Sequence, residues 1–199
     1  MRGAVLAGGA ARRYGGVPKG LLPVGGRRIL DRVVDAVTAA TGAPPLLVAN
    51  SAEAADWRPD LATIPDARSG LGSLGGIYTA VLGGEGPVLC VAWDMPFVEP
   101  DLLRTLVAEA AGYDGFLPES GGRRGVEPLC AVYGPACVPA IEQQVVRGDR
   151  RAIGFHHAVR IGTLPVERVR RFGDPALLFF NVNEPEDLER AEVLWRQRG

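Results

Sequence analysis

Apolar residues fall in short continuous runs bounded by turn residues, at positions 3–7, 46–49, 88–92, 129–133 and 178–182. Runs of this length, apolar at nearly every position, predict strands covered on both faces of a sheet. A shorter run at 62–64 marks a further strand end. Between the runs the apolar positions recur at helical spacing: Ile29, Val33, Val34 and Val37; then Leu102, Leu103, Leu106 and Val107; then Leu188, Ala191 and Leu194. Each stripe predicts a core-facing helix. Glu99-Pro100-Asp101 and Glu184-Pro185-Glu186-Asp187 place proline and acids in a first turn and so mark two helix starts. The alternation predicts an α/β fold: one doubly wound, mainly parallel sheet with helices on both faces, spanning 1–199 as one domain. The polar segment 118–125 reads as a loop, either a flap near the site or a plain connector.

Composition narrows the function classes. A chain of 199 residues, 47% hydrophobic, can bury one sizeable core. With 22 basic and 23 acidic residues the net charge is −1, so no overall field recruits nucleic acid or an anionic membrane, and an anionic ligand must be held locally. No apolar run reaches the length of a signal peptide or membrane span, and the start reads directly into a strand; a cytoplasmic protein is expected. Cys90, Cys130 and Cys137 are odd in number and lack C-x-x-C spacing, which argues against disulfides or structural zinc and predicts small core residues. The only histidines, His156 and His157, are adjacent and read as surface or helix-end residues; a three-histidine metal site is out of reach.

The densest chemistry follows the first strand, in Leu6-Ala7-Gly8-Gly9-Ala10-Ala11-Arg12-Arg13-Tyr14-Gly15-Gly16-Val17-Pro18-Lys19. Gly8 and Gly9 lack Cβ atoms, so backbone N–H groups there can approach an anion, and Arg13 and Lys19 add cations. In open α/β sheets such a loop emerges where ligands bind. Neither G-x-G-x-x-G nor G-x-x-x-x-G-K-[ST] can be written through it, so it is neither a dinucleotide fingerprint nor a P-loop. Asp94 follows the apolar run 88–92 and stands at a strand end, a suitable address for a magnesium ligand.

These residues carry a resemblance. The loop, followed by Lys19-Gly-Leu-Leu, then Gly72-Ser73-Leu74-Gly75-Gly76, Asp94-Met95-Pro96-Phe97, Glu127-Pro128-Leu129-Cys130-Ala131-Val132-Tyr133 and Asn181-Val182-Asn183-Glu184-Pro185-Glu186-Asp187-Leu188, resembles the molybdenum cofactor guanylyltransferase family in order and over almost the whole chain. The resemblance implies that GTP and molybdopterin are the substrates and that the terminal phosphate of molybdopterin attacks the α-phosphorus of GTP, releasing pyrophosphate. It implies nucleotide contacts at Leu6, Ala7, Gly8, Gly9, Lys19, Asn50, Asp66, Gly72, Leu74 and Asp94, and Mg²⁺ bound at Asp94 with Asn183 close by. Arg13, Lys19 and Asp94 take the catalytic roles. Other molybdenum cofactor biosynthesis or acceptor proteins are the partners it suggests; nucleic acid and membrane are not. A phosphate monoester is already largely dianionic at neutral pH, so no general base is required.

Three positions depart from the family pattern: Pro18 where aspartate usually precedes the lysine, Ser73 where proline is usual, and Trp93 where cysteine often precedes the aspartate. Pro18 removes a carboxylate and a backbone donor from the loop and drives Val17 towards an extended backbone. Two rival readings stay open. A molybdopterin cytidylyltransferase shares the glycine loop and Asp-Met-Pro but tends to show Asp-x-Asp at Asn181-Val182-Asn183. A nucleotide-binding regulatory protein without turnover is motivated by Pro18.

Overall fold

In chain order, the computed structural model has β1 (Arg2–Leu6), the hairpin of β2 (Pro23–Val24) and β3 (Arg27–Arg28), α1 (Ile29–Thr41), β4 (Leu46–Val48), α2 (Ala54–Trp57), β5 (Thr63–Ile64), α3 (Ser73–Leu82), β6 (Val88–Ala92), α4 (Pro100–Glu109), β7 (Gly115–Pro118), β8 (Cys130–Tyr133), α5 (Cys137–Val146), β9 (Ile161–Leu164), α6 (Val166–Val169), α7 (Pro175–Leu178) and α8 (Pro185–Arg198). It describes residues 1–8, 17–122 and 125–198. Among these residues no helix is long and apolar enough to cross a membrane.

Seven strands form one sheet in the order β5-β4-β1-β6-β8-β7-β9. Pairing is parallel except on the two sides of β8, which runs against β6 and β7. The sheet is therefore mainly parallel, as the uniformly apolar strands predict. Along β1, Val5 joins the core under α1 and α4, while Ala4 and Leu6 join the core under α3 and α5; both faces are dry. All three cysteines are fully buried, and burial raises their pKa values, to about 12 for Cys137, which leaves them protonated packing groups.

The helix starts at Pro100 and Pro185 match the sequence, and α1 and α4 bury the apolar stripes read there; α8 buries Ala191 and half-buries Leu188 and Leu194. The strand expected at 178–182 is absent. Asp174 caps a short helix instead, its carboxylate accepting from the Ala176 N–H at 3.0 Å with Pro175 in the first turn, and the chain then runs without regular structure through the buried Phe179 and Val182. A short buried apolar run does not by itself separate a strand from a helix and its buried exit. The segment 118–125 begins at the last residue of β7, and its described ends meet, with Glu119 bridging Val126 and the Ser120 N–H donating to the Gly125 carbonyl at 3.0 Å.

Candidate functional site

Chain order reverses beside β1: the sheet grows outward through β4 and β5, then returns to place β6 on the other side of β1. Ligands in open α/β sheets bind outside the carboxyl ends of the strands at such a switch point. A cavity of about 370 Å³ opens there, lined among others by Leu6, Gly8, Lys19, Trp93, Asp94 and Asn183.

Asp94 leaves the end of β6 in a turn fixed by its own backbone. The Trp93 N–H donates to the Leu6 carbonyl at 3.2 Å, and the Asp94 carbonyl accepts from the Val182 N–H at 3.0 Å. The second bond ties the 181–183 segment to the turn and so delivers Asn183. Asn183 and Glu184 both donate backbone N–H bonds to the Asp187 carboxylate at 2.9 Å, which closes the first turn of α8 and holds Asn183 in place. Lys19 arrives from the opposite side. Pro18, at φ −62° and ψ 133°, precedes a 3-10 turn over Lys19–Leu21, and its carbonyl accepts from the Leu21 N–H at 2.9 Å. Proline suits this position because its φ is already set and no N–H is needed.

The three side chains meet. Lys19 Nζ donates to Asp94 Oδ2 at 2.5 Å and to Asn183 Oδ1 at 2.8 Å. The ion pair is sheltered, with side chains 15% and 9% exposed. The departure at Pro18 thus leaves Lys19 at the centre of the site. Lys19 is also the only lysine among the 22 basic residues of the chain, a signal readable from sequence that sets it apart from a solvated surface cation.

A second polar pair flanks the cavity at the ends of β4 and β5. Asn50 Nδ2 donates to Asp66 Oδ2 at 2.7 Å and the Asp66 N–H returns to Asn50 Oδ1 at 2.8 Å. Asp66 Oδ2 lies 3.9 Å from the position a Cβ on Gly8 would take and 3.2 Å from that on Gly75, so this carboxylate faces both the glycine loop and the start of α3. Gly72 caps α3 with φ +57° and ψ −136°, a backbone that favours glycine, and it too lines the cavity.

Two of the expected contact residues turn their side chains into the core. The Leu74 side chain is fully buried in the core under α3, so it anchors that helix and does not line the cavity. Ala7 spends its N–H on the Val48 carbonyl at 2.8 Å and turns its side chain into the core. Gly9 and Arg13 lie outside the described residues.

The donor set suits a hard divalent cation completed by ligand phosphates. Among the described residues no group of three or more histidine, cysteine or acidic side chains converges. The oxygens of Asp94 and Asn183 do converge, on one ammonium group, and Asp94 Oδ1 is buried without a hydrogen-bond partner among the described residues. Neither histidine serves the site. His156 packs against Phe155 and Tyr133, and burial lowers its pKa to about 4; His157 is exposed with Nδ1 on the Gly154 carbonyl.

The sequence reading missed a neighbouring cavity of about 520 Å³ that shares Gly72, Ser73 and Leu129 with the first and adds Arg150 and Arg151. Its wall is the turn after α5. Buried Gln144 donates from Nε2 to the Arg151 carbonyl at 2.7 Å, and the Arg151 guanidinium holds the Asp149 carboxyl at about 2. The Gly-Asp-Arg-Arg sequence at 148–151 was the available signal: a turn carrying two cations directly after a helix.

Known proteins resemble this chain over most of its length. The family profile described as "MobA-like NTP transferase domain" matches residues 3–160. A protein of Pelotomaculum thermopropionicum named "Probable molybdenum cofactor guanylyltransferase" is 35% identical, the alignment covering 96% of this chain and 92% of that protein. The "Molybdenum cofactor guanylyltransferase" of Desulfosudis oleivorans is 31% identical, with 97% and 95% covered. The crystal structure of molybdopterin-guanine dinucleotide biosynthesis protein A from Archaeoglobus fulgidus superposes with a TM-score of 0.81 at 31% identity, over 99% of this chain and all of that one. The chain belongs to the MobA-like NTP transferase domain family.

Proposed function

We propose that this protein is a molybdenum cofactor guanylyltransferase, moving GMP from GTP to the terminal phosphate of molybdopterin and releasing pyrophosphate. The observation that carries the reading is the meeting of Lys19, Asp94 and Asn183 at the switch point, beside a second cavity bearing two arginines. The first cavity suits a nucleoside triphosphate, the second an anionic acceptor.

The acceptor phosphate, with a second pKa of about 6, is mostly dianionic at neutral pH, so attack on the α-phosphorus needs no proton removed. The residues then act by position and charge. Leu6 and Gly8 shape the nucleotide end of the cavity, and Asp66 with Asn50 forms its polar flank. Lys19 stands where negative charge grows on the departing pyrophosphate, and Arg13 is assigned the same task from the sequence pattern. Mg²⁺ would be held by Asp94 and Asn183 together with nucleotide phosphates, and would neutralise charge on those phosphates. Arg150 and Arg151 draw the acceptor to the mouth of the site.

Thermal unfolding with nucleotide and Mg²⁺ tests the base assignment. A ligand at about 100 times its Kd stabilises the native state by about 2.7 kcal/mol. For a chain of this size that raises Tm by about 5–10 °C. GTP is expected to give such a shift, and CTP and ATP much smaller ones; a larger shift with CTP transfers the assignment to cytidylyl transfer. Arg150→Ala tests the acceptor side. Losing one cation–anion contact of about 1.5–3 kcal/mol is expected to raise the KM for molybdopterin by about tenfold or more, with the KM for GTP unchanged. Equal KM changes for both substrates would place Arg150 elsewhere in the reaction.

A further inference from the structure

Trp93 departs from the family pattern at the residue next to Asp94, and its surroundings give it a task. The indole is 2% exposed and lies against Gly20, the residue that follows Lys19. A Cβ built on Gly20 would stand 2.3 Å from Trp93 Cε3, 2.6 Å from Cδ2 and 2.9 Å from Cζ3. No methyl group fits there, so backbone and ring are in direct contact. The ring cannot retreat easily, because its other neighbour is Trp57, stacked at 5.1 Å between centroids and 18° between planes, itself buried at the end of α2. Trp93 is also fixed at its backbone by the bond to the Leu6 carbonyl.

We propose that Trp93 is a positioning residue that sets the location of Lys19 by bearing on Gly20. The aromatic stack forms a rigid floor for the 3-10 turn that carries Lys19, and the height of that floor fixes where the ammonium meets Asp94 and Asn183. The proposal rests on the transferase reading for the job Lys19 performs. It concerns contact between ring and backbone, which a smaller residue at 93 does not provide. Packing alone does not explain the choice of tryptophan, since its Nε1 is buried without a partner among the described residues, a cost that an aliphatic side chain avoids.

The test is a double-mutant cycle on Gly20→Ala and Trp93→Leu, with Trp93→Phe as the conservative variant. Gly20→Ala pushes the turn off the ring. It is expected to lower kcat by about 10²-fold with little change in the KM for GTP, the scale of a misplacement of about 1 Å. Trp93→Leu also lowers kcat, but adding Gly20→Ala to it costs nothing further or restores turnover, because the space for the methyl is now present. Trp93→Phe keeps most of the activity. If Trp93→Leu does not fold, the same cycle is run with Trp93→Phe. A second readout needs no turnover. Lys19 is the only lysine, so acetic anhydride labelling followed by mass spectrometry reports on its amine alone once the N-terminal peptide is set aside. Gly20→Ala is expected to speed that labelling several-fold, and the double variant to reverse the change. Losses in kcat that simply multiply, or unchanged labelling in Gly20→Ala, would overturn the proposal. A wild-type protein that transfers nothing from GTP would sink the transferase reading instead, and the labelling would still decide the contact.

Discussion

Asp94→Ala is expected to lower turnover by at least about 10³-fold while the chain still folds, more than the 10²–10³-fold lost with one preorganised donor. The asymmetry follows from what each part of the residue does. Its carbonyl accepts from the Val182 N–H and so keeps the 181–183 segment in place; alanine preserves that bond. Its carboxylate, by contrast, touches only site chemistry, with Oδ2 on Lys19 and Oδ1 buried and unpaired among the described residues. Removing it withdraws a metal ligand and the partner that aims Lys19. Fold stability should move by only about 1 kcal/mol, or 2–4 °C in Tm, since no apolar contact is lost. Pyrophosphate release and thermal unfolding check the two halves separately. In the variant, stabilisation by GTP should also stop depending on Mg²⁺. Near-normal turnover would remove Asp94 from the mechanism, and a collapse in Tm would make its role structural.

The elements legible in the sequence are those whose burial leaves a one-dimensional trace. β1, β4, β6 and β8 are central strands dry on both faces, so every position but the exposed Arg2 at the start of β1 is apolar, and α1 and α4 bury one stripe each. α3 left no such trace because it is buried all round: Leu74 through Val81 are covered, and a helix without a wet face has no period to detect. β9 is a short edge strand containing Gly162 and Thr163, and β7 holds Gly115 and ends on Pro118, residues that weaken any strand signal. The expected strand at 178–182 failed for the opposite reason, since a buried exit from a short helix is as apolar as a strand.

The same division runs through the site. Lys19, Asp94 and Asn183 each sit in a local motif, so each was legible singly; what the sequence could not show is that one ammonium joins them across separations of 75 and 164 positions. Trp93 was visible only as a departure, because its meaning lies in contacts with Gly20 and Trp57. Arg150 and Arg151 were marked only by the turn sequence Gly-Asp-Arg-Arg, which says nothing of the cavity they line, since that cavity also needs the distant residues Gly70 to Ser73.

Lys19 yields the most discriminating outcome, because a chain with 22 basic residues uses lysine only there. An ammonium is a compact point charge whose three donors can be shared between two oxygens set at 2.5 and 2.8 Å, whereas a guanidinium is planar, wider and built for paired contacts. Lys19→Arg is therefore expected to fail nearly as badly as Lys19→Ala, although it keeps the charge. Each should lower kcat by about 10²-fold or more, as when one preorganised electrostatic donor is lost, with a smaller change in the KM for GTP. That split identifies stabilisation of charge that develops in the transition state, since a group holding the ground-state nucleotide equally well would alter KM instead. Steady-state kinetics of both variants check it. If Lys19→Arg retains full kcat, the position requires only charge, and the fit between Asp94 and Asn183 has no catalytic meaning. If both variants raise KM alone, Lys19 binds GTP without lowering the barrier, and the stabilisation of pyrophosphate passes to Arg13, whose replacement by alanine should then carry the whole loss of kcat.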